Sequence, residues 1–251
     1  VAAKAGIAPS LLYQDAKKGF TLMPFIHSTA SSNYSNALDK EELKVLAKTL
    51  QQLHRGAPFK ESLSCFDIAR SFIENLPDNN CLVALEAKKR LELLALELEA
   101  RYEKKPCHND LNRGNILLQD NHFFFIDWEF AGQGQPLFDV AALILHYHMN
   151  AEEKESFLWA YFERKPEKQE LEDLHKMNTV ALLFYGFAIL NALQDNKFPP
   201  PSASEVNRFP SSKTLALEFG RSHSLIDLYR LGWSYLIEAL AASKCWIEIK
   251  S

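Results

Sequence analysis

One stretch of the chain constrains its fold more than any other: Cys107-His108-Asn109-Asp110-Leu111-Asn112-Arg113-Gly114-Asn115-Ile116-Leu117-Leu118, followed by Phe123-Phe124-Phe125-Ile126-Asp127-Trp128-Glu129. Two short apolar runs flank Gln119-Asp120-Asn121-His122, a polar group rich in turn formers, so the segment is predicted to be a β-hairpin. Asn115 then begins one strand and Asp127 ends the next, and the hairpin brings both side chains to one rim. Asp110 precedes that rim in a loop anchored by Leu111 and by the apolar residues 116–118.

Asp, Asn and Gly are common turn residues, and a solvated hairpin could display them without any chemistry. The complete order is more specific: His-x-Asp, four residues, Asn, strand, turn, strand, Asp. It supplies a carboxylate able to accept a hydroxyl proton (Asp110), and an amide and a carboxylate oxygen suited to Mg²⁺, a hard cation (Asn115 and Asp127). Those are the parts that metal-dependent phosphoryl transfer from a nucleotide requires, because that reaction rests on positioning and charge neutralisation. His108, two residues before the base, is placed to hydrogen-bond loop backbone and is read as structural support.

The run from His108 to Asn115, then Ile126-Asp127-Trp128-Glu129-Phe130-Ala131-Gly132, then Phe138-Asp139-Val140-Ala141-Ala142-Leu143, resembles the choline and ethanolamine kinases. The likeness is strongest to bacterial choline kinase-like and thiamine kinase-like proteins, which belong with the aminoglycoside phosphotransferases in the protein-kinase-like superfamily. It implies an α+β protein-kinase-like fold with a mostly helical large lobe and a truncated small β lobe. It also implies ATP and Mg²⁺ as cofactors, Asp110 as catalytic base, Asn115 and Asp127 as metal ligands, and Asp139 as a buried brace of the catalytic loop. Asp139 has a second reading from position alone, at the cap or first turn of the helix that Val140 to Leu145 begins, where a carboxylate offsets the dipole.

Upstream, Gly6 to Pro9, Leu11 to Tyr13 and Gly19 to Ile26 look like the last strands of a small lobe and its hinge, with Met23, Pro24, Phe25 and Ile26 beneath an adenine. Residues 1–26 are thus expected to be the remnant of that lobe, and 27–251 the helical catalytic and substrate lobe. A Gly-rich phosphate loop, a strand Lys and its helix Glu partner are not visible, so a segment is expected to precede Val1, and the ATP site of residues 1–251 alone is expected to be incomplete.

Downstream, helical spacing predicts helices at about 136–149, 152–162, 167–194 and 212–242. Earlier, it predicts one from Asp39 to His54, with His54 a packed core residue, and a charged one at 78–102. The four prolines between Phe198 and Ser211 predict an extended loop. His146 and His148, two apart on a helix, face different ways and are not read as metal ligands.

With 251 residues, 47% hydrophobic and 24% charged, the chain can bury a sizeable core. Its net charge of −4 argues against nucleic-acid binding, and no apolar run approaches the roughly 18 residues of a membrane span. Cys65, Cys81, Cys107 and Cys245 lack zinc spacing and are expected to be reduced thiols in a cytoplasmic protein.

A quaternary ammonium acceptor would be held by aromatic faces with a carboxylate nearby. Glu129, Trp128, Tyr185 and Trp233 are the candidates, although helical spacing also makes the last two natural core residues. The expected partner is a small cationic alcohol, choline or ethanolamine first, with thiamine next. An aminoglycoside is disfavoured because the C-terminal helices hold no dense carboxylate cluster. A non-catalytic, pseudokinase-like binding protein is the reading from another class.

Overall fold

The computed structural model describes residues 2–15, 17–29, 38–76, 81–196, 198–206 and 208–242. Helix starts are where the sequence dictates structure most directly. Asp39 accepts hydrogen bonds from the Glu41 and Glu42 N–H groups, both at 2.8 Å, while the Glu42 side chain returns to the Asp39 N–H, a capping box that opens α1 (Lys40–His54). Ser64 with Asp67 and Asn150 with Glu153 open α2 (Cys65–Glu74) and α5 (Ala151–Phe162) in the same way. In α1, Leu43, Leu46, Leu50 and Leu53 recur at helical spacing on its buried face.

The chain divides into two units. The first combines Val1–Leu63 with Lys104–Leu171, and the second combines Ser64–Glu103 with Glu172–Ser251. Residues 1–26 therefore fall in the same unit as the 107–129 segment, and the division runs along other lines than the sequence boundary at 26/27.

Among the described residues the first unit holds three two-stranded antiparallel sheets. β1 (Tyr13–Asp15) pairs with β2 (Phe20–Leu22), β3 (Lys105–Cys107) with β6 (Gly132–Gly134), and β4 (Ile116–Gln119) with β5 (His122–Phe125). The β4–β5 register runs from Ile116↔Phe125 to Gln119↔His122. Its two-residue turn places Asp120 and Asn121 at φ 50° and 58°. That is the left-handed pair a tight hairpin demands and that Asp and Asn tolerate. Gly132 is required by close approach: a Cβ there would lie 2.7 Å from the Leu63 Cβ. α4 (Pro136–His146) starts with Pro136 in its first turn and buries nearly all of its side chains. Gln135 occupies the cap position, so Asp139 sits in the first turn rather than at the cap.

The second unit is helical: α2, α3 (Leu82–Leu98), most of α6 (Lys168–Ala192), and α7 (Ala203–Val206), α8 (Ser212–Ser222) and α9 (Leu225–Ala241). Two expectations are corrected here. The helix expected over 212–242 is broken, because His223 turns left-handed at φ 49° and the Ser222 hydroxyl donates to Asp227 at 2.7 Å across the joint. The proline segment is not wholly extended, since it includes the single turn α7, whose Glu205 side chain accepts from the Ser202 N–H before it at 2.7 Å. The charged helix is α3, which begins at Leu82; residues 77–80 lie outside the described set. No helix of the described residues is long and apolar enough to cross a membrane. Among the described residues Cys65, Cys81 and Cys107 form no disulfide, and Cys245 lies outside them.

α6 and α9 approach closely at two glycines. A Cβ on Gly186 would lie 2.5 Å from the Leu236 Cδ2 and 3.0 Å from the Gly232 carbonyl oxygen, and one on Gly232 would lie 3.0 Å from the Ile189 Cγ2. Gly186→Ala is predicted to destabilise the protein by about 1–3 kcal/mol through overpacking. Leu236→Ala in the same chain is predicted to recover part of that loss. Urea unfolding of the single and double variants checks this, and additive losses would contradict it.

Candidate active site

The site is organised by a carboxylate that sequence position alone describes only as helix-terminal. Asp139 is fully buried and accepts hydrogen bonds from the His108 N–H at 2.8 Å and the Asn109 N–H at 2.9 Å. Its third partner is the His54 Nε2, at 3.1 Å, at the C-terminal end of α1. The other ring nitrogen of His54 meets the Tyr161 hydroxyl of α5 at 2.7 Å. Burial pushes the Tyr161 hydroxyl pKa far up, assisted by Cys107 and Asp139, so it stays protonated. His54, Cys107 and Asp139 offer metal-type ligand atoms within 4.8 Å of one another. Both ring nitrogens of His54 are already engaged, so the trio serves as a brace.

The brace holds residues 108 and 109 where the backbone must turn. Asn109 is left-handed at φ 63°, and its Nδ2 donates to the Leu63 carbonyl at 3.0 Å and the Phe130 carbonyl at 2.9 Å. His108 is buried and its Nε2 donates to the Ile126 carbonyl at 2.9 Å. A carbonyl can only accept, so the proton is on Nε2 and Nδ1 is bare. Burial lowers the His108 pKa and favours that neutral form. The structure thus ties the end of β5 to the loop before Asp110 through one imidazole.

Asp110 follows. Asn112 Nδ2 donates to both of its carboxylate oxygens at 3.1 Å, and Asn115 Nδ2 donates to its Oδ2 and to its main-chain carbonyl, each at 2.9 Å. Burial raises the Asp110 pKa, against the lowering effect of these amides and of His108, and Asp127 raises it further. Asn115 therefore has its nitrogen committed to Asp110 while its Oδ1 makes no hydrogen bond among the described residues. Asp127 is exposed and left-handed at φ 61°, a conformation costing on the order of 1 kcal/mol or more that persists because its surroundings hold it. Its carboxylate likewise makes no hydrogen bond among the described residues. An amide oxygen, a carboxylate and room for water form a donor set that fits a hard divalent cation.

The hinge expectation also finds a place. Met23, Pro24, Phe25 and Ile26 line a cleft of about 700 Å³, opposite Ile116, Leu117 and Ile126 of the hairpin, with Arg113 and Gly114 at one side. The Thr29 N–H donates to the Leu118 carbonyl at 2.7 Å, and the Ser28 hydroxyl accepts from the Leu118 N–H at 3.0 Å, which ties the hinge strand to β4. Phe25 is 81% exposed. Among the described residues the backbone N–H and C=O groups of Met23 and Phe25 make no hydrogen bonds and are available to a planar heterocycle.

Of the substrate candidates, Glu129 is exposed beside Asp127. Trp128 is half-buried, its indole N–H donating to the Phe125 carbonyl at 2.9 Å and its ring 4.6 Å from that of His108. Tyr185 and Trp233 belong to the second unit and are buried there, Tyr185 beside Phe184 and Trp233 beside Tyr229. Their burial accords with the core packing their spacing suggests, so they present no face to a ligand. Sequence reasoning missed Asn112, whose side chain both holds Asp110 and accepts the Gly114 N–H at 2.8 Å. An Asn two residues before a glycine is an Asx-turn signal that could have flagged it. It also missed Arg113, whose guanidinium lies 4.7 Å from the Tyr147 ring.

The chain is similar to known proteins. Residues 1–176 match the model of the phosphotransferase enzyme family, APH, and the chain belongs to that family. Protein LicA of Haemophilus influenzae is 30% identical over 182 residues, which cover 69% of this chain and 67% of that protein. A second H. influenzae LicA is matched over only 53% of its length, so the chain spans roughly half to two thirds of these relatives. A choline/ethanolamine kinase family protein from Mesorhizobium loti superposes with a TM-score of 0.61 at 19% identity, over 94% of this chain and 81% of that one. The choline kinase LicA from Streptococcus pneumoniae superposes with a TM-score of 0.61 at 18% identity, over 88% and 77%. At such identities the likeness establishes the fold, which is protein-kinase-like and α+β.

His146, at the end of α4, gives this unit a titration signature. Burial, with smaller contributions from His148 and Arg113, lowers its pKa from 6.5 to about 3. The unfolded chain therefore binds a proton below about 6.5 that the folded chain refuses until about 3. The resulting stability is present above 6.5 and is lost as pH falls through that window. Replacing His146 with Leu is predicted to flatten the decline in urea midpoint between pH 7 and pH 4, within the range where imidazole titrates. An unchanged slope would contradict the assignment.

Proposed function

We propose that the chain is the catalytic part of a kinase that transfers the γ-phosphoryl group of ATP to the hydroxyl of a small cationic alcohol, choline before ethanolamine. The observation that carries this reading is Asp110, a carboxylate held at both oxygens by neutral amides at the rim where Asn115 and Asp127 converge. Solved complexes of structural neighbours support a nucleotide: LicA with AMP, and spectinomycin phosphotransferase APH(9)-Ia with ADP and spectinomycin. Choline is supported by the choline kinase LicA of S. pneumoniae and by probable choline kinase 3 of Arabidopsis thaliana, 26% identical over 216 residues.

In this reading the adenine lies in the cleft against Met23 to Ile26, bonding to the Met23 and Phe25 backbone. Asp110 accepts the proton of the acceptor hydroxyl as its oxygen bonds to the γ-phosphorus and the bond from that phosphorus to the β-bridging oxygen breaks, leaving ADP. Asn112 and Asn115 fix the carboxylate toward that proton. Asn115 Oδ1 and Asp127 would hold Mg²⁺, which when bound neutralises charge on the phosphates. Glu129 attracts the cationic head of the acceptor, and the ring of Trp128 contributes an apolar wall.

Asp110→Asn and Asp127→Asn are each predicted to lower kcat by about 10²–10⁴-fold with the fold intact. Turnover near the wild-type value in either would overturn the assignment. Because the base works deprotonated and burial raises its pKa, kcat/KM should fall on acidification with a limb lying above an ordinary aspartate's value of about 3.9. Among choline, ethanolamine, thiamine, an aminoglycoside and a neutral sugar alcohol, choline is predicted to give the highest kcat/KM in a coupled ADP-release assay. Glu129→Gln should penalise the cationic acceptor more than basal ATP hydrolysis. Preference for the neutral alcohol would refute the cation pocket and leave the kinase reading standing.

A further inference from the structure

α3 has two apolar faces, and among the described residues only one of them is packed. Val83, Ala87, Leu91, Leu94 and Leu98 are buried in the second unit, where α3 packs with α2 and α9. On the opposite side Leu82, Leu85, Leu93 and Leu96 are exposed by 54, 45, 53 and 85%. A surface helix of a soluble protein normally presents polar residues on the side away from its core. Four leucines aligned on that side form a stripe, whereas single exposed leucines elsewhere need no explanation.

The stripe is symmetric about Lys89. Leu85 and Leu93 lie four residues to either side, and Leu82 and Leu96 seven to either side. At 1.5 Å per residue the stripe is about 21 Å long, and its spacing of three and four residues is that of a coiled-coil seam. Turned end for end, it presents the same pattern, the property that an interface with a two-fold axis requires of a single surface. The charges obey the same symmetry. Lys89, bonded to Glu86 of its own helix at 2.7 Å, would lie at the axis level with Lys89 of the antiparallel copy, the two ammonium groups offset by the Glu86 of each helix one turn away. Arg90 of each helix would come within about 3 Å, in axial level, of Glu86 of the other.

We infer that the outward face of α3 is a self-association surface, on which a second copy of this chain packs its own α3 antiparallel with Lys89 at the two-fold axis. Four leucines a side with their charged borders make a contact at or below the standard interface size of about 800 Å² per partner, so the dimer is reversible.

The test is sedimentation equilibrium of the 251-residue chain, with two variants beside it. The 28.6 kDa chain should shift toward twice that mass as concentration rises through the micromolar range. Leu93→Asp, a change at an exposed position, should hold it at the monomer mass with an unchanged melting temperature. Lys89→Cys under mild oxidation should yield a disulfide between the two introduced thiols, separated from any crosslink through Cys81 by peptide mapping. A wild-type monomer at every concentration, as when a different protein or another segment of the polypeptide covers the stripe, would overturn the inference. So would association that survives Leu93→Asp, or a dimer whose introduced thiols do not meet.

Discussion

A carboxylate taken out of water costs several kcal/mol unless its oxygens are matched by donors. Asp139 meets that demand with two consecutive backbone N–H groups and one imidazole. The donors come from different parts of the first unit. His108 and Asn109 follow β3, His54 ends α1, and Tyr161 of α5 takes the far side of the imidazole. One buried anion thereby fixes the loop before Asp110 relative to three helices, and removing it would leave two buried N–H groups without acceptors. The conformations of the loop follow from that anchorage. Asn109 can be left-handed because its Nδ2 is held by two carbonyls, and Asp110 is directed by Asn112 and Asn115.

The same arrangement separates two tasks that sequence motifs run together. His108 and Asp139 fix backbone, whereas Asp110, Asn115 and Asp127 present oxygens outward. Asn115 does both, with its nitrogen on Asp110 and its oxygen making no hydrogen bond among the described residues. His108, kept neutral by burial, links the two halves by donating to Ile126 immediately before Asp127.

Local signals made much of this legible in the sequence. Asp39 marked the start of its helix, and the Asp120-Asn121 pair marked its hairpin, because caps and tight turns are decided by adjacent residues. The order from His108 to Asp127 grouped the candidate residues for the same reason, since most of them lie on one hairpin and the loop before it. What was missed depends on distance along the chain. No local pattern pairs His54 with Asp139, eighty-five positions away. The break at His223 has no proline to announce it, and its nearest glycine, Gly220, lies three residues upstream within α8 rather than at the joint. The division into two units, each made of two separate stretches, is invisible to composition because the chain crosses between them without a linker of distinctive sequence.

In the proposed function the nucleotide binds in the separate cleft lined by Met23 to Ile26, so if the brace orients the base, its loss should be felt in the chemical step far more than in nucleotide binding. Single-turnover rapid-quench measurement of phosphoryl transfer from Mg²⁺-ATP to choline in Asp139→Asn, paired with calorimetric nucleotide titration, isolates the two. A transfer rate reduced by about 10²-fold or more, with nucleotide affinity within a few-fold of wild type, is the predicted result, given what small misplacements cost. Transfer at the wild-type rate in a folded, nucleotide-binding Asp139→Asn protein would contradict the account.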